Sequence, residues 1–222
     1  MTPTTKTEKT TKKNLSTLLT SLNPLEAENL RDAPVDDITH DSRRVSEGSL
    51  FVALRGTKAD GHRYISDAAK SRACAVLCEE FPEDMPNIPV VRVENTRTAL
   101  SAVCDAYFDS PSERLKVAGV TGTDGKTSTT VLLDHILRNA GCRPGRTGTL
   151  AHKLGDRTVE SDMTTPDPFA LHRMLDEMQS CGLTHACMEV SSHSLSLHKT
   201  DYVDFDVGIL TDITEDHLDF HG

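Results

Sequence analysis

Ala118-Gly119-Val120-Thr121-Gly122-Thr123-Asp124-Gly125-Lys126-Thr127-Ser128 follows a short apolar run, Leu115 to Val120, and precedes a helical pattern. Strand, glycine-rich turn, Lys-Thr-Ser and helix, in that order, are the layout of a phosphate-binding loop. Glycines let the backbone curl so that its N–H groups point at phosphate oxygens, and the helix N-terminus adds partial positive charge. In such a loop Lys126 reaches the terminal phosphates and the Thr127 hydroxyl holds Mg²⁺. The usual pattern has Gly five residues before Gly125, where this chain has Val120, so the loop reads G-x-x-G-x-x-G-K-T.

Strands and helices alternate beyond the loop. The helix after it carries Leu132, Leu133, Ile136, Leu137 and Ala140 as its apolar face and stops at Gly141. Arg146 to Leu150 reads as a short strand. Asp167-Pro168 opens a second helix, with Asp as cap and Pro in the first turn. Leu171, Met174, Leu175 and Met178 form its core face, and Gly182 ends it. His185–Val190 and Phe205–Leu210 are further strands. Alternation of this kind predicts an α/β fold with a doubly wound parallel sheet covered on both faces. Ligands then sit at the carboxyl ends of the strands.

A smaller α/β unit precedes it. Leu50–Leu54, Cys74–Cys78 and Pro89–Val93 read as strands, Tyr64–Ser71 and Thr98–Phe108 as helices, and Asp60-Gly61-His62 as a turn. Leu15–Leu22 reads as a short helix. The polar joint Asp109-Ser110-Pro111-Ser112 places a boundary between domains 15–110 and 114–222. Residues 1–14, mostly Thr, Lys, Glu and Pro at their start, read as a disordered tail.

The 222 residues carry 24 Lys+Arg against 34 Asp+Glu, a net charge of −10, which argues against a nucleic-acid binder. A polyanionic nucleotide must then be held by local backbone and metal. Cys74, Cys78, Cys104, Cys142, Cys181 and Cys187 form no C-x-x-C pair and read as reduced core residues of a cytoplasmic protein. No apolar run of membrane-spanning length and no signal core are present in the sequence.

Polar clusters mark three strand ends: the loop, Met188-Glu189-Val190-Ser191-Ser192-His193, and Thr211 through Gly222. A carboxylate at a strand end beside a phosphate loop is placed to share Mg²⁺ with Thr127, so Glu189 is a metal candidate. Taken alone, His217 and His221 read as structural or exposed histidines. Ser191 and Ser192 lack the G-x-S-x-G context of a nucleophile and read as substrate contacts or a helix cap.

These residues resemble the Mur ligases, and within them the branch that adds the third residue of the peptidoglycan stem peptide. The resemblance rests on Asp41-Ser42-Arg43-Arg44-Val45, Gly48 to Leu54, Gly56 and Asp60-Gly61-His62, on Val117 to Thr130, on Thr164-Thr165-Pro166, and on Met188 to His193 and Asp216 to Gly222. It implies a UDP-binding N-terminal domain followed by an ATP-binding domain. It implies that Ser42 with Thr57, Lys58 and Ala59 holds the uridine end, and that Thr164, Thr165, Ser191 and Lys199 contact the muramoyl-dipeptide. By the same resemblance Gly122, Thr123, Asp124, Gly125, Lys126, Thr127 and Ser128 hold ATP, Thr127, Glu189 and His217 serve magnesium, and Lys126, Glu189 and His217 are the catalytic set. Asp124 stands where the family has Asn, Leu197 where it has Gln, and Lys199 where it has Arg.

The implied activity is an ATP-dependent, cytoplasmic, monomeric bacterial ligase joining a diamino acid (L-Lys or meso-diaminopimelate) to UDP-MurNAc-L-Ala-D-Glu through an acyl phosphate. The family's chain continues past residue 222, with a carbamylated lysine and an amino-acid-binding third domain, so the central domain is expected to be incomplete here. Two alternatives stand beside this reading: the sister ligase that adds D-Ala-D-Ala, and a non-catalytic nucleotide-sugar-binding module.

Overall fold

The computed structural model describes residues 12–56 and 59–221. The chain divides into two compact units, residues 1–94 and 95–222.

In chain order the first unit holds β1 (Lys13–Asn14), α1 (Leu15–Leu19), β2 (Glu26–Glu28), β3 (Pro34–Val35), β4 (Asp37–Thr39), β5 (Ser49–Val52), α2 (Ile65–Lys70), β6 (Ala75–Cys78) and β7 (Val90–Arg92). Its main sheet has the order β2-β7-β6-β5-β4. Strands β4 to β7 run parallel, and β2 is an antiparallel edge. Every residue of β5 and β6 is buried, as a parallel strand covered on both faces requires. Helix α2 lays Ile65 and Ala68 on Phe51, Val76 and Val90. Lys13 and Asn14, read as part of a disordered tail, instead pair with Val35 and Pro34; residues 1–11 of that tail lie outside the described residues.

The Asp60-Gly61-His62 turn acts as a clamp. Asp60 accepts from the His62 backbone N–H and faces its ring Nδ1 at 2.7 Å, while His62 Nε2 accepts from the Glu79 N–H at 2.9 Å. A Cβ on Gly61 would lie 2.7 Å from the Leu54 carbonyl oxygen, so no larger residue fits this turn.

The second unit runs α3 (Thr96–Tyr107), β8 (Lys116–Thr121), α4 (Lys126–Asn139), β9 (Pro144–Thr147), β10 (His152–Leu154), β11 (Arg157–Val159), α5 (Pro168–Ser180), β12 (His185–Glu189), α6 (Ser192–Ser196), β13 (Val207–Leu210) and α7 (Leu218–His221). The sheet order is β11-β10-β9-β12-β8-β13. Strands β9, β12, β8 and β13 are parallel, and β10–β11 is an antiparallel hairpin added at one edge. Its strands are too short and too polar to stand out from loop in the sequence.

Successive strand residues face opposite sides of a sheet. Ala186 and Met188 of β12 pack with Leu171, Leu175 and Met178 of α5, the core face expected for that helix. Cys187, between them, lies under the influence of Asp134 and Arg138 of α4, and burial pushes its thiol up to about 12.

Helix α4 corrects an expectation. Leu132 and Ile136, read as core, are 61% and 62% exposed, while Thr130 and Asp134 are buried. Asp134 is held by Arg138 one turn on, which also donates to the Pro144 carbonyl. The domain joint also differs. Helix α3, expected to close the first domain, groups with the second unit because it packs on α5, where the rings of Tyr107 and Phe108 meet Phe169 at 5.8 and 5.3 Å. The six cysteines are free, as expected, although Cys181 is exposed rather than core.

Candidate nucleotide and metal site

Strand β8 ends at Thr121, and the chain turns through Gly122 and Gly125 into α4. Gly122 has φ +135° and Gly125 φ +78°, backbone that only glycine enters freely. A Cβ on Gly122 would sit 2.0 Å from the Thr211 hydroxyl. The loop is braced by the exit of β13. Thr123 N–H donates to the Asp212 carbonyl at 3.2 Å and Asp124 N–H to the Asp212 carboxylate at 2.9 Å. The Thr211 hydroxyl donates to the Asp124 carbonyl at 2.6 Å, and Thr214 N–H to the Thr123 hydroxyl at 3.0 Å. Lys126 folds back over the loop, its ammonium donating to the carbonyls of Gly122 and Thr123 at 2.7 Å each.

Glu189 closes β12 beside this loop and is only 2% exposed. Neutral donors hold its carboxylate. The Thr127 hydroxyl donates to Oε2 at 2.8 Å, the Thr149 hydroxyl to Oε2 at 2.9 Å, and the Thr149 N–H to Oε1 at 3.0 Å. The sequence expectation that Thr127 and Glu189 meet is therefore realised as direct contact. A carboxylate and a hydroxyl side by side at a helix N-terminus are hard oxygen donors of the kind Mg²⁺ takes.

His217 lies elsewhere in the same region. Its backbone has φ +54°, and its ring meets His193 edge-on at 4.4 Å. His193 also stacks near Phe220 at 4.2 Å, and His221 Nε2 lies 3.0 Å from the Ser192 hydroxyl. A cavity of about 440 Å³ opens between these groups and the loop; Gly122, Lys126, Ser191, Asp212 and His217 are in its wall. Among the described residues no group of three or more His, Cys, Asp or Glu side chains is placed to hold a metal.

Two family models match the chain: the Mur ligase family catalytic domain over residues 34–108 and the Mur ligase middle domain over 120–222. The chain belongs to the Mur ligase family. This Mur ligase chain is 39% identical, over 84% of its length, to UDP-N-acetylmuramoyl-L-alanyl-D-glutamate–2,6-diaminopimelate ligase 1 of Clostridium acetobutylicum, of which it covers 39%. It is 41% identical to the ligase of the same name from Parabacteroides distasonis, over 89% of this chain and 41% of that one. It thus spans about two-fifths of the curated relatives it matches. Among solved structures, a UDP-N-acetylmuramoyl-L-alanyl-D-glutamate–2,6-diaminopimelate ligase superposes with a TM-score of 0.71 at 23% identity, covering 85% of this chain and 38% of that one. MurF of Thermotoga maritima, in complex with ADP, superposes with a TM-score of 0.55 at 23% identity, covering 83% and 39%. Both show a shared fold.

The remaining candidates lie in both units of the Mur ligase chain. The Thr165 hydroxyl is buried. It donates to the Glu189 carbonyl at 3.0 Å and accepts from the Ser191 N–H at 3.1 Å, so it ties the 161–167 loop to the exit of β12. Thr164 keeps an accessible hydroxyl 3.1 Å from that of Thr149. Ser191 caps α6 by accepting from Ser194 N–H, one of the two roles its sequence context offered. Lys199 pairs with Asp167 at 2.7 Å, so the cap expected from the Asp167 side chain is replaced by an ion pair. Ser128 is exposed in the first turn of α4. In the first unit Ser42 starts a short 3-10 turn capped by Asp41, and the Ala59 carbonyl accepts from Gly56 N–H. Thr57 and Lys58 lie outside the described residues.

Thr149 was missed as a site residue, and Thr211 and Asp212 were read only as part of a polar cluster at a strand end. Thr149 stood inside a segment read as strand, Arg146–Leu150. The strand ends at Thr147, and Gly148 turns the chain onto Glu189.

Proposed function

We propose that this Mur ligase chain carries the ATP-binding and carboxylate-activating part of a ligase that joins a diamino acid to UDP-MurNAc-L-Ala-D-Glu. The observation that carries the reading is the Thr127–Glu189 contact, made at the carboxyl end of β12 next to the glycine loop and Lys126. The curated relatives named above bear that activity in their names, and an ADP-bound relative shares the fold.

In the proposed reaction the γ-phosphoryl group of ATP passes to the D-Glu side carboxylate, giving ADP and an acyl phosphate. The amine of the diamino acid then attacks the acyl carbon, phosphate leaves, and the amine loses a proton as the amide forms. Lys126 leaves the loop carbonyls to neutralise the transferring phosphoryl group, and the amides at the start of α4 cradle the phosphates. Thr127 and Glu189 would hold Mg²⁺, which supplies charge neutralisation between the phosphates. Thr164, Ser191 and Lys199 line the substrate side, and Ser42 with Thr57, Lys58 and Ala59 takes the uridine end. Asp124 adds negative charge near the phosphates, which a metal held by Thr127 and Glu189 would offset. The enzyme acts as a monomer in the bacterial cytoplasm; its free thiols are compatible with a reducing compartment, and no described helix is long and apolar enough to cross a membrane.

Calorimetric titration with UDP-MurNAc-L-Ala-D-Glu, with and without Mg-ATP, tests the assignment. Binding of both ligands is expected. Lys126→Ala should abolish nucleotide binding and leave binding of the UDP substrate intact. A folded chain that binds neither ligand refutes the reading.

A further inference from the structure

We propose that Thr149 is a positioning residue: its N–H and hydroxyl clasp both oxygens of the Glu189 carboxylate while the same hydroxyl contacts Thr164, so it couples the substrate-side loop to the metal-side carboxylate. The inference rests on the nucleotide-and-metal reading of Thr127 and Glu189.

Three features carry it. First, one residue reaches both carboxylate oxygens, Oε1 through its N–H at 3.0 Å and Oε2 through its hydroxyl at 2.9 Å. That fixes the plane of the carboxylate, which a single donor would leave free to rotate. A carboxylate offers about four lone-pair sites. Thr149 and Thr127 occupy two on Oε2 and one on Oε1.

Second, the clasp depends on the residue before it. A Cβ on Gly148 would lie 2.1 Å from Glu189 Oε1, so any side chain there displaces the carboxylate. The small-residue run Thr147-Gly148-Thr149 is therefore shaped around Glu189.

Third, the Thr149 hydroxyl has one proton. It has two acceptors within reach, Glu189 Oε2 at 2.9 Å and the Thr164 hydroxyl at 3.1 Å. A proton given to Glu189 is withheld from Thr164, while Thr127 donates to the same carboxylate from the nucleotide side. A substrate group that engages Thr164 changes the polarisation of the Thr149 hydroxyl and so the charge Glu189 presents.

The test is a titration of Mn²⁺ into the purified protein at fixed ADP, with free Mn²⁺ followed by electron paramagnetic resonance. Thr149→Val removes the hydroxyl and keeps the N–H. Residue 149 is exposed, so the fold tolerates the change. Outer-shell partners of metal ligands are typically worth ten- to a hundredfold in metal affinity. Thr149→Val should therefore weaken Mn²⁺ binding by about tenfold, Thr149→Ser should restore it to within about threefold, and metal-free ADP affinity should not move. Thr164→Val should shift Mn²⁺ binding in the wild-type background and have no effect in the Thr149→Val background, since coupled residues are non-additive. Wild-type Mn²⁺ affinity in Thr149→Val, or equal effects of Thr164→Val in both backgrounds, overturns the inference alone. Failure of the wild-type protein to bind Mn²⁺ with ADP overturns the nucleotide reading with it.

Discussion

Replacing Thr165 by Val probes the link between the 161–167 loop and the end of β12. The hydroxyl is buried, donates to the Glu189 carbonyl, and accepts from the Ser191 N–H. Val keeps the branched shape and removes both bonds. A hydrogen bond contributes about 1 kcal/mol net, and a stranded partner costs about 1–3 kcal/mol more. Losing both bonds, with water reaching part-buried Ser191, sums to about 3 kcal/mol of local stability. Native-state hydrogen exchange on peptides covering 185–196 measures this without requiring the two units to unfold together. At 1.36 kcal/mol per factor of ten, exchange there should quicken by roughly 100-fold. Thr165→Ser keeps a hydroxyl and should stay within about tenfold of wild type. Exchange in Thr165→Val within about threefold of wild type, roughly 0.7 kcal/mol, would refute the bridging role.

Gly122→Ala forces a Cβ onto the Thr211 hydroxyl at a backbone angle that L-residues avoid; nucleotide affinity measured by calorimetry should fall by more than about tenfold, at a cost to stability of about 1–3 kcal/mol. Asp212→Asn keeps an oxygen for the Asp124 N–H and removes a negative charge from the cavity wall, so ADP should bind several-fold more tightly, the gain shrinking at high salt. His172 is fully buried on α5, 3.4 Å from Asp105, and burial pushes its pKa down from 6.5 to about 4. The unfolded chain therefore binds a proton below pH 6.5 that the folded chain refuses until about pH 4, and stability is lost as pH falls through that window, by about 3 kcal/mol in all. Burial raises Asp105, which works the opposite way at the acid end because the folded state favours its neutral form. Denaturation midpoints from pH 7 to 4 should show the decline, and His172→Met should flatten it.

The glycine-rich strand–turn–helix at residues 118–128 was legible because its requirements are local: the glycines, Lys126 and Thr127 lie close together in the chain, and each has one backbone requirement. The core face of α5 was legible for a similar reason, since Leu171, Leu175 and Met178 repeat at helical spacing and have a sheet face to cover. The same spacing misled on α4. There Leu132 and Ile136 point outward, and Asp134 can be buried only because Arg138 and the start of β9 lie against it. Periodicity reports that a helix has two faces, and the partners decide which is covered.

The carboxylate site divides along the same line. Glu189 could be nominated from its place at a strand end, but its clasp comes from Thr127, Gly148 and Thr149, 40 to 62 positions away along the chain. Those contacts exist because β12 lies between β8 and β9, which brings two loop exits to one carboxyl edge. His217, also nominated for magnesium, has its ring edge-on to that of His193, a contact no local run of residues announces. By itself the sequence determined the loop, the alternation of strands and helices, and the family, since each rests on neighbours in the chain. Only the tertiary structure decided the partners of each polar side chain, because strand order, which no local run of residues encodes, sets which ends meet.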